Sequence, residues 1–363
     1  MINIARGRSP CALNEERIMK KCFRSAVCTL SFLAVLGGVL PYASCKETKQ
    51  EDLRVYMPDG APALALAGMM AMDTEDDGVS YHVLRTESDP TLLPSKLTNN
   101  DETKNADLCV LPVNAASKLV GNGEKYQMLG TVTHGNLYLL AKEGVTLDNL
   151  SSLLGKTVGV LKINDVPGLT LKATLNKKNI PWQEVGNEGE KAGDKVNLLA
   201  IAGADAVGAT DTNGNPLADY YMVAEPAATA QAKAKKYAVV GNIQALYGGE
   251  NGYPQAVLVA KKSVVESRGE WTEEFVEKVE TSIEWLWTAS GEKIVTAVNV
   301  HMDDKNTVTS LKAPLLTSEV LGRCGIRFTY AQECKNEVNV FLADLIAVNS
   351  KAAAIPQDGF FWK

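Results

Sequence analysis

The side chains that could carry chemistry in this sequence are few and widely separated. Three histidines occur, His82, His134 and His301, and no CxxC pair or HExxH motif accompanies them. Metal sites need closer ligand spacings, so the sequence predicts no resident metal ion and no cofactor. The chain also lacks a Gly-x-Ser-x-Gly elbow and a phosphate-binding loop with lysine. These absences predict that the protein is not an enzyme.

A second group of candidates consists of short turns next to strand-like runs. Such turns present backbone amides and small polar side chains, which can hydrogen-bond a small ligand. The same residue types are common turn formers, so each turn taken alone is explained by local structure. As a set at corresponding strand ends they favour one shared ligand-binding cleft. The candidate ligand-binding residues are Asp59, Gly60, Ala61, Pro62, Pro112, Val113, Asn114, His134, Gly135, Asn136, Asp165, Gly168, Thr170, Glu225, Pro226 and Tyr253.

Strand-like and helix-like segments alternate along the chain, and they must position these turns. Apolar alternation predicts strands at 52–57 and 80–85, and a buried apolar run predicts one at 107–111. Helices are predicted between them at 63–72 and 92–99, which is typical of a parallel sheet with helices on its faces. Further strands are predicted at 126–133, 137–142, 156–161, 196–202, 220–224 and 256–260, with only helices after residue 260.

One of these late helices carries an aromatic stripe. Trp271, Phe275, Val279, Ile283 and Trp287 recur every four residues, which is close to the helical period. We therefore interpret the stripe as a face that packs against a core, and not as a ligand cage.

Composition sets the broad class of the protein. The chain has 363 residues, of which 45% are apolar and 22% charged, and its formal net charge is −6. A globular chain of this length forms two domains or lobes by default. Because no long basic run occurs beyond the first two dozen residues, nucleic acid is not expected as a partner.

The amino-terminal segment has the features of an export signal. Residues 1–18 include Glu15 and Glu16, which are unusual in such signals, so we interpret them as a misassigned start upstream of Met19. Residues 19–44 run from lysines through an apolar stretch to small residues, as a signal peptide does. The apolar stretch is about 15 residues long, shorter than the roughly 20 that span a bilayer.

The residues from Leu40 to Cys45 resemble a bacterial lipoprotein processing site, with Tyr42 where that pattern usually has Leu. The resemblance implies a lipid anchor on the thiol of Cys45, and the polar residues 45–52 would form a tether to the folded body. The alternative is a cut after Ala43 or Ser44 that leaves Cys45 free.

The remaining cysteines of the mature chain are Cys109, Cys324 and Cys334. Cys109 lies within an apolar run and is expected to be buried and unpaired. Cys324 and Cys334 flank a short connection that contains glycine, and export permits disulfides, so a bridge between them is possible.

The order of motifs along the mature chain resembles the solute-binding proteins of bacterial ABC importers with the type II periplasmic-binding fold. The resemblance is to the branch that includes sulfonate, nitrate and thiamine-precursor binders. The motifs that carry it are Gly60-Ala61-Pro62, Ala106-Asp107-Leu108 with Pro112, the segment 154–160, Gly203-Ala204-Asp205-Ala206, Glu225-Pro226 and the segment 357–361.

This resemblance implies an α/β fold of two lobes, with mixed sheets flanked by helices and two crossing strands as a hinge. Lobe one would comprise residues 53–142 and 250–363, and lobe two residues 143–249. The crossing strands would lie near 136–142 and 253–260, and a ligand would close the lobes by a hinge motion. The implied partners are a small-molecule ligand, an ABC permease and its ATPase. The implied state is a monomer that is lipid-anchored on the outer face of the cytoplasmic membrane, or periplasmic.

The charge of the candidate turns bears on the ligand. Asp59, Asp165 and Glu225 are acidic, which favours a neutral or cationic ligand, such as a heteroaromatic vitamin precursor. Two alternatives stay open. One is a pyrimidine-forming enzyme on the same fold, for which His134 is the candidate catalyst. The other is a surface lipoprotein that binds a macromolecule through an exposed apolar patch.

Overall fold

The computed structural model describes residues 52–73, 78–87, 89–186, 189–248 and 251–363. The predicted leader (residues 1–18 and 19–44), the predicted lipid-attachment residue Cys45 and all but the last residue of the tether lie outside this part of the chain. Within the described ranges, no helix combines the length and the apolar character that crossing a membrane requires.

Two six-stranded sheets form the centre of the molecule. The first contains, in spatial order, β12 (Ile326–Tyr330), β4 (Tyr126–Thr133), β11 (Ala256–Lys261), β3 (Leu108–Pro112), β1 (Leu53–Pro58) and β2 (Val79–Leu84). The second contains β10 (Tyr237–Asn242), β5 (Leu137–Lys142), β9 (Tyr220–Ala224), β6 (Thr157–Leu161), β8 (Val196–Ile201) and β7 (Trp182–Val185).

Helices cover the faces of these sheets. They are α1 (Ala61–Leu64), α2 (Ala67–Ala71), α3 (Leu92–Ser95), α4 (Val113–Leu119), α5 (Val166–Lys177), α6 (Ala227–Lys235), α7 (Ile243–Gly248), α8 (Lys262–Ser267), α9 (Gly269–Leu286), α10 (Gly291–Val300), α11 (Ser318–Arg323) and α12 (Ala331–Val348). Short 3₁₀ turns occur at Glu102–Lys104, Leu150–Leu153, Ala204–Ala206, Ala313–Leu315 and Asp358–Phe360.

The predicted fold class is confirmed: the protein has two lobes, each built on a mixed sheet flanked by helices. In lobe one, β1 is parallel to β2 and β3, whereas β11 is antiparallel to β3 and β4. In lobe two, β6 is parallel to β8 and β9, whereas β5 is antiparallel to β9 and β10. Strand β5, which the predicted boundaries assign to lobe one, is a member of the lobe-two sheet.

Three strands were not predicted, namely β7, β10 and β12. All three lie at the edges of their sheets, and most of their residues are only partly buried. An edge strand carries more polar residues than a central one, so its apolar pattern is weak. The prediction that only helices follow residue 260 is wrong at β12.

The two lobes meet where the chain passes from β4 to β5. In lobe one, Thr133 at the end of β4 pairs with Ala256 at the start of β11 and with Ile326 at the start of β12. In lobe two, Leu137 at the start of β5 pairs with Ala224 at the end of β9. The three residues 134–136 therefore connect the sheet of lobe one to the sheet of lobe two.

The two faces of the lobe-one sheet bury separate apolar cores, because successive side chains of a strand point to opposite faces. Cys324 belongs to the core on one face and Cys334 to the core on the other. Both thiols are free in the structure, and the Sγ of Cys334 lies 3.2 Å from the Thr131 hydroxyl. The possible bridge between Cys324 and Cys334 is therefore corrected: the sheet separates the two sulfur atoms.

A glycine at the junction provides a test of this packing. Gly325 has a φ of +63°, and a Cβ atom there would lie 2.2 Å from the carbonyl oxygen of Gly135. We expect Gly325→Ala to lower the free energy of unfolding by at least about 1 kcal/mol, because the backbone conformation disfavours alanine and the added atom meets backbone.

Gly322 is the matched control, since a Cβ there meets only the edge of the Trp287 ring, at 4.0 Å. Because Gly322 lies in α11, alanine improves its helix propensity, so Gly322→Ala should leave stability unchanged or raise it. Urea unfolding of both variants measures the difference. Equal midpoints would contradict the packing described for Gly325.

Candidate functional site

A cavity of about 490 Å³ lies at the junction of the two lobes. This volume is in the range of small-molecule sites. Its lining comes from the connection at residues 134–136, from the β5 and β10–α7 segments of lobe two, and from α9, α11 and β12 of lobe one. The lining residues are His134, Gly135, Tyr138, Asn242, Gln244, Asn251, Gly252, Glu280, Ile283, Trp287, Leu321, Gly322, Arg323, Gly325, Ile326, Arg327 and Phe328.

His134 is buried in the wall of this cavity, with 4% of its surface exposed. Its Nε2 lies 3.1 Å from the hydroxyl of Thr329, and its Nδ1 has no hydrogen-bond partner. Burial lowers the pKa of His134 to about 3, and the nearby Arg327 guanidinium acts in the same direction. The imidazole is therefore neutral at pH 7.

Gln244 lines the cavity from lobe two and is also buried. Its Oε1 accepts the backbone N–H of Leu137 at 2.7 Å, which fixes the orientation of the amide because only the oxygen can accept. The Nε2 amide then has no partner. An unsatisfied buried donor costs about 1–3 kcal/mol.

An ion pair closes one side of the cavity. Arg323 Nε donates to Glu225 Oε1 at 2.8 Å, and the Glu225 side chain has no exposed surface. The remaining guanidinium nitrogens of Arg323 donate to Glu319 at 2.6 Å and to the Thr229 hydroxyl at 2.7 Å. Since Glu225 and Thr229 belong to lobe two and Arg323 to lobe one, this pair links the lobes.

Arg327 is the second arginine of the cavity and is differently placed. It is exposed, and within the described part of the chain its contact is a long hydrogen bond, 3.4 Å, to the carbonyl oxygen of Asn251. Glu280 also lines the cavity and accepts the hydroxyl of Tyr330 at 3.2 Å. The cavity thus has one positive group that the described residues leave without a carboxylate partner.

The predicted turn at Asp59, Gly60, Ala61 and Pro62 does not line the cavity. The turn follows β1, and Gly60 starts α1 with a φ of +98°. The Asp59 carboxylate accepts from Ser310 N at 2.6 Å and from Gly60 N at 2.9 Å, and it lies 3.7 Å from the Arg85 guanidinium. These partners satisfy the carboxylate within lobe one.

Two more of the predicted turns are also occupied by structural contacts. Pro112 ends β3 and Val113 begins α4, and Asn114 Nδ2 donates to the Ala352 carbonyl at 3.1 Å. In lobe two, Asp165 precedes α5, and Thr170 donates to the carbonyl of Val166 inside that helix.

Gly168 lies in the same helix, and a Cβ atom there would meet the backbone of Ile163 at 2.1 Å. Its small size is therefore required by packing, and the structure does not place it at the cavity.

The remaining predicted residues lie at the junction. His134 and Gly135 line the cavity, and Asn136 behind them donates from Nδ2 to the Glu225 carbonyl at 2.8 Å. Pro226 follows Glu225 and begins α6. Tyr253 is buried against Gln244 and stacks on Phe341, with ring centroids 4.9 Å apart. The turns at 134–136 and 225–226 are thus brought together.

The sequence interpretation missed most cavity residues, and Trp287 shows why. Phe275 and Val279 are buried as the stripe predicts, but Trp287 is 49% exposed and lines the cavity. A spacing of four residues advances about 40° beyond a full turn at each step, so Trp271 and Trp287 differ by roughly 160° around the helix. The interpretation of Trp287 as a core residue is therefore corrected.

A separate polar arrangement occurs on the outer strand β2. Ser80 Oγ lies 3.2 Å from His82 Nε2, and His82 Nδ1 lies 2.9 Å from Asp303 Oδ1. This order of groups is the one that activates serine in hydrolases. Strand β2 is four strands from β4, which corresponds to about 19 Å at the usual strand spacing. The junction cavity therefore offers Ser80 no adjacent substrate.

The side chains of the described residues also bear on metal binding. No group of three or more His, Cys, Asp or Glu side chains within the described ranges is placed to hold a metal ion. The thiols of Cys109, Cys324 and Cys334 are buried, and burial raises their pKa values, which disfavours the thiolate that binds metals.

Comparison with known proteins supports the fold. No family model and no curated protein matches the sequence. Among solved structures, an ABC transporter protein from Parabacteroides distasonis is 18% identical and aligns over 86% of this chain and 99% of its own, with a TM-score of 0.65.

Two further solved structures have the same architecture. The periplasmic aliphatic sulphonate binding protein SsuA from Escherichia coli is 16% identical over 86% of this chain and 92% of its own, with a TM-score of 0.60. The ligand-binding component of an ABC-type import system from Staphylococcus aureus, with zinc bound, is 11% identical over 86% and 97%, with a TM-score of 0.54. At these identities the similarity shows the shared two-lobed fold.

Because His134 is buried, the stability of the folded protein should depend on pH. The folded-state pKa, about 3, lies below the ordinary value of 6.5, so the unfolded chain binds the proton more tightly and stability falls as the pH drops below 6.5. At pH 4.5 the loss attributable to His134 should reach about 2–3 kcal/mol.

Urea unfolding at pH 7 and pH 4.5 measures this loss, with His134→Gln as the comparison because glutamine does not titrate. The wild type should lose more stability than the variant by that amount. Parallel losses in the two proteins would show that His134 does not control the response.

Proposed function

We propose that this protein is the extracytoplasmic solute-binding component of an ABC importer and that it captures a small molecule at the junction of its two lobes. The observation that carries the proposal is the cavity itself. Both lobes line it, it has the size of a small-molecule site, and two of its buried polar side chains, His134 and Gln244, have atoms without a protein partner. Such atoms are rare in protein interiors, because they lose hydrogen bonds to water without replacement.

The position of the cavity suits a hinge mechanism. Residues 134–136 carry the chain into lobe two, and Gly252 lies where it returns toward β11. A ligand that contacts both Gln244 of lobe two and the Trp287 side of lobe one would favour the closed arrangement over an open one. The ABC-importer proteins with the same fold support this function by analogy of architecture.

The acidic residues of the predicted turns, from which the sequence favoured a neutral or cationic ligand, do not determine the charge of the ligand. The Asp59 and Glu225 carboxylates are occupied by internal donors, and none of Asp59, Asp165 and Glu225 lines the cavity. A neutral or cationic vitamin precursor stays one candidate, and aliphatic sulphonates, named for the Escherichia coli protein, are another. The charge of the ligand is set by the cavity residues.

The cellular setting is part of the proposal. A lipid on Cys45 would hold the protein at the outer face of the cytoplasmic membrane, next to an ABC permease and its ATPase, and the chain would act as a monomer. The apolar residues before Cys45 and the polar tether after it support this arrangement.

Solute binding is tested with a panel of vitamins, vitamin precursors, sulfonates, nitrate and amino acids. A compound at a hundredfold excess over its Kd stabilises the folded state by about 2.7 kcal/mol, so at least one should raise the Tm clearly. Because Trp287 lines the cavity, the same compound should change the tryptophan fluorescence.

The change should disappear in Trp287→Phe. The matched control is Trp271→Phe, since Trp271 lies on the other side of the same helix and should keep the response. If no compound of the panel changes the Tm or the tryptophan fluorescence, the result would argue against solute binding. A response that survives in Trp287→Phe would place the ligand elsewhere.

The lipid anchor is tested by expressing the full chain in a bacterial host. The membranes of that host are extracted by detergent phase separation. We expect the wild-type protein in the detergent phase and the Cys45→Ala variant outside it, because only the Cys45 thiol would carry the lipid. Cys109→Ala is the control, as that thiol is buried. Retention of Cys45→Ala in the detergent phase would refute the anchor.

A further inference from the structure

An asparagine that is followed by glycine can lose its side-chain amide in water, because the glycine nitrogen attacks the side-chain carbonyl carbon. Glycine has no Cβ, so its backbone nitrogen approaches that carbon with little steric hindrance. The chain contains three such pairs, namely Asn122-Gly123, Asn213-Gly214 and Asn251-Gly252. Since the two residues are the same in each pair, the folded structure must distinguish them.

Hydrogen bonds restrain two of the three pairs. The attacking atom is the backbone nitrogen of the glycine. Gly123 N–H donates to the Val120 carbonyl and Gly214 N–H to the Asp211 carbonyl, both at 3.1 Å. The side-chain oxygen of Asn122 also accepts a backbone N–H, at 3.2 Å. Each of these two pairs must therefore break a hydrogen bond before its nitrogen can attack.

The pair Asn251-Gly252 has neither restraint. Among the described residues, the Gly252 N–H has no hydrogen-bond acceptor and the Asn251 side-chain amide has no partner. Asn251 is exposed and Gly252 is partly buried. Both line the junction cavity, where the chain returns from lobe two to lobe one. An unrestrained nitrogen thus lies next to an unrestrained amide.

The packing of Gly252 acts against the reaction and must be weighed. Its φ is +68°, and a Cβ atom there would clash with the His134 carbonyl oxygen. This contact restricts the Cα of Gly252. Ring closure depends chiefly on rotation about the Cα–C and Cα–Cβ bonds of Asn251, which is exposed. The restraint is therefore weaker than the hydrogen bonds that hold the other two pairs.

We propose that Asn251 is a site of spontaneous deamidation. The Gly252 nitrogen gives its proton to water or hydroxide and bonds to Cγ of Asn251. The side-chain nitrogen takes up a proton and leaves as ammonia, and a succinimide ring remains. Water then breaks one of the two C–N bonds of the ring. The net reaction consumes one water, releases one ammonia and needs no oxidant or cofactor.

The two ring openings give different products. Opening at Cγ gives aspartate, whereas opening at the former main-chain carbonyl gives isoaspartate, whose main chain is one CH₂ longer. Arg327 Nη2 lies 3.4 Å from the oxygen of that carbonyl of Asn251. In isoaspartate this oxygen belongs to a carboxylate, which a guanidinium donor stabilises. Deamidation therefore places a negative charge on the cavity wall, and it does not depend on the proposed solute-binding function.

The test follows the three pairs in one sample. The folded full chain is incubated at mildly alkaline pH in heavy-oxygen water, and peptide mapping by mass spectrometry measures the conversion of each asparagine. Asn251 should convert about tenfold faster than Asn122 or Asn213, because a hydrogen bond that must be broken raises the barrier at those sites. The product at position 251 should carry one heavy oxygen atom, since water opens the ring.

The control is the same chain unfolded in urea, where the three pairs should convert at similar rates because the restraints are gone. Asn251→Gln should abolish conversion at that position and leave Asn122 and Asn213 unchanged. If Asn122 or Asn213 converts as fast as Asn251 in the folded chain, the proposal is overturned. It is also overturned if Asn251 stays intact in the folded chain while it converts in urea.

Discussion

The structure of the junction depends on one buried ion pair, Glu225 with Arg323. Glu225 directly follows strand β9 of lobe two and has no exposed side-chain surface, and Arg323 ends a helix of lobe one. Losing one partner of such a pair costs about 3–5 kcal/mol, because the other charge stays buried. The backbone of Glu225 is tied to Asn136 in both directions, through its N–H and its carbonyl. Glu225 thus holds the connection at residues 134–136 through Asn136. It also holds the end of helix α11, which lines the cavity, through Arg323.

This arrangement explains why the junction can carry both structural and binding groups. Glu225 appears available in the sequence but is used to link the two lobes, and Asp59 is occupied within lobe one. The groups left over are the Nδ1 atom of His134, the Nε2 amide of Gln244 and the exposed guanidinium of Arg327. A protein interior rarely leaves buried polar atoms unmatched, and two of the six such side-chain atoms among the described residues belong to residues that line the cavity.

Much of the fold could be predicted because central strands are buried on both faces and read as apolar runs. Strands β4, β5 and β9 occur at the predicted residues. The edge strands β7, β10 and β12 could not be read in the same way, since one of their edges faces solvent and their patterns are mixed. The short helices α1 and α2 appear in the sequence as one continuous helix over 63–72, because alanine and leucine favour helix in both and give no sign of the break at Ala65 and Leu66.

The sequence by itself predicted the two-lobed α/β class, which the structure has, and the turns at the junction; it also predicts an export signal in residues that the structure does not describe. These properties follow from local patterns, which need no knowledge of what lies across the chain. Only the tertiary structure decided which turns meet, because His134, Gln244, Trp287 and Arg327 are separated by up to 193 residues in the chain and become neighbours through sheet order. It also decided the use of each charge, since Arg323 lies 98 residues from Glu225 and Ser310 lies 251 residues from Asp59, beyond the reach of any local pattern.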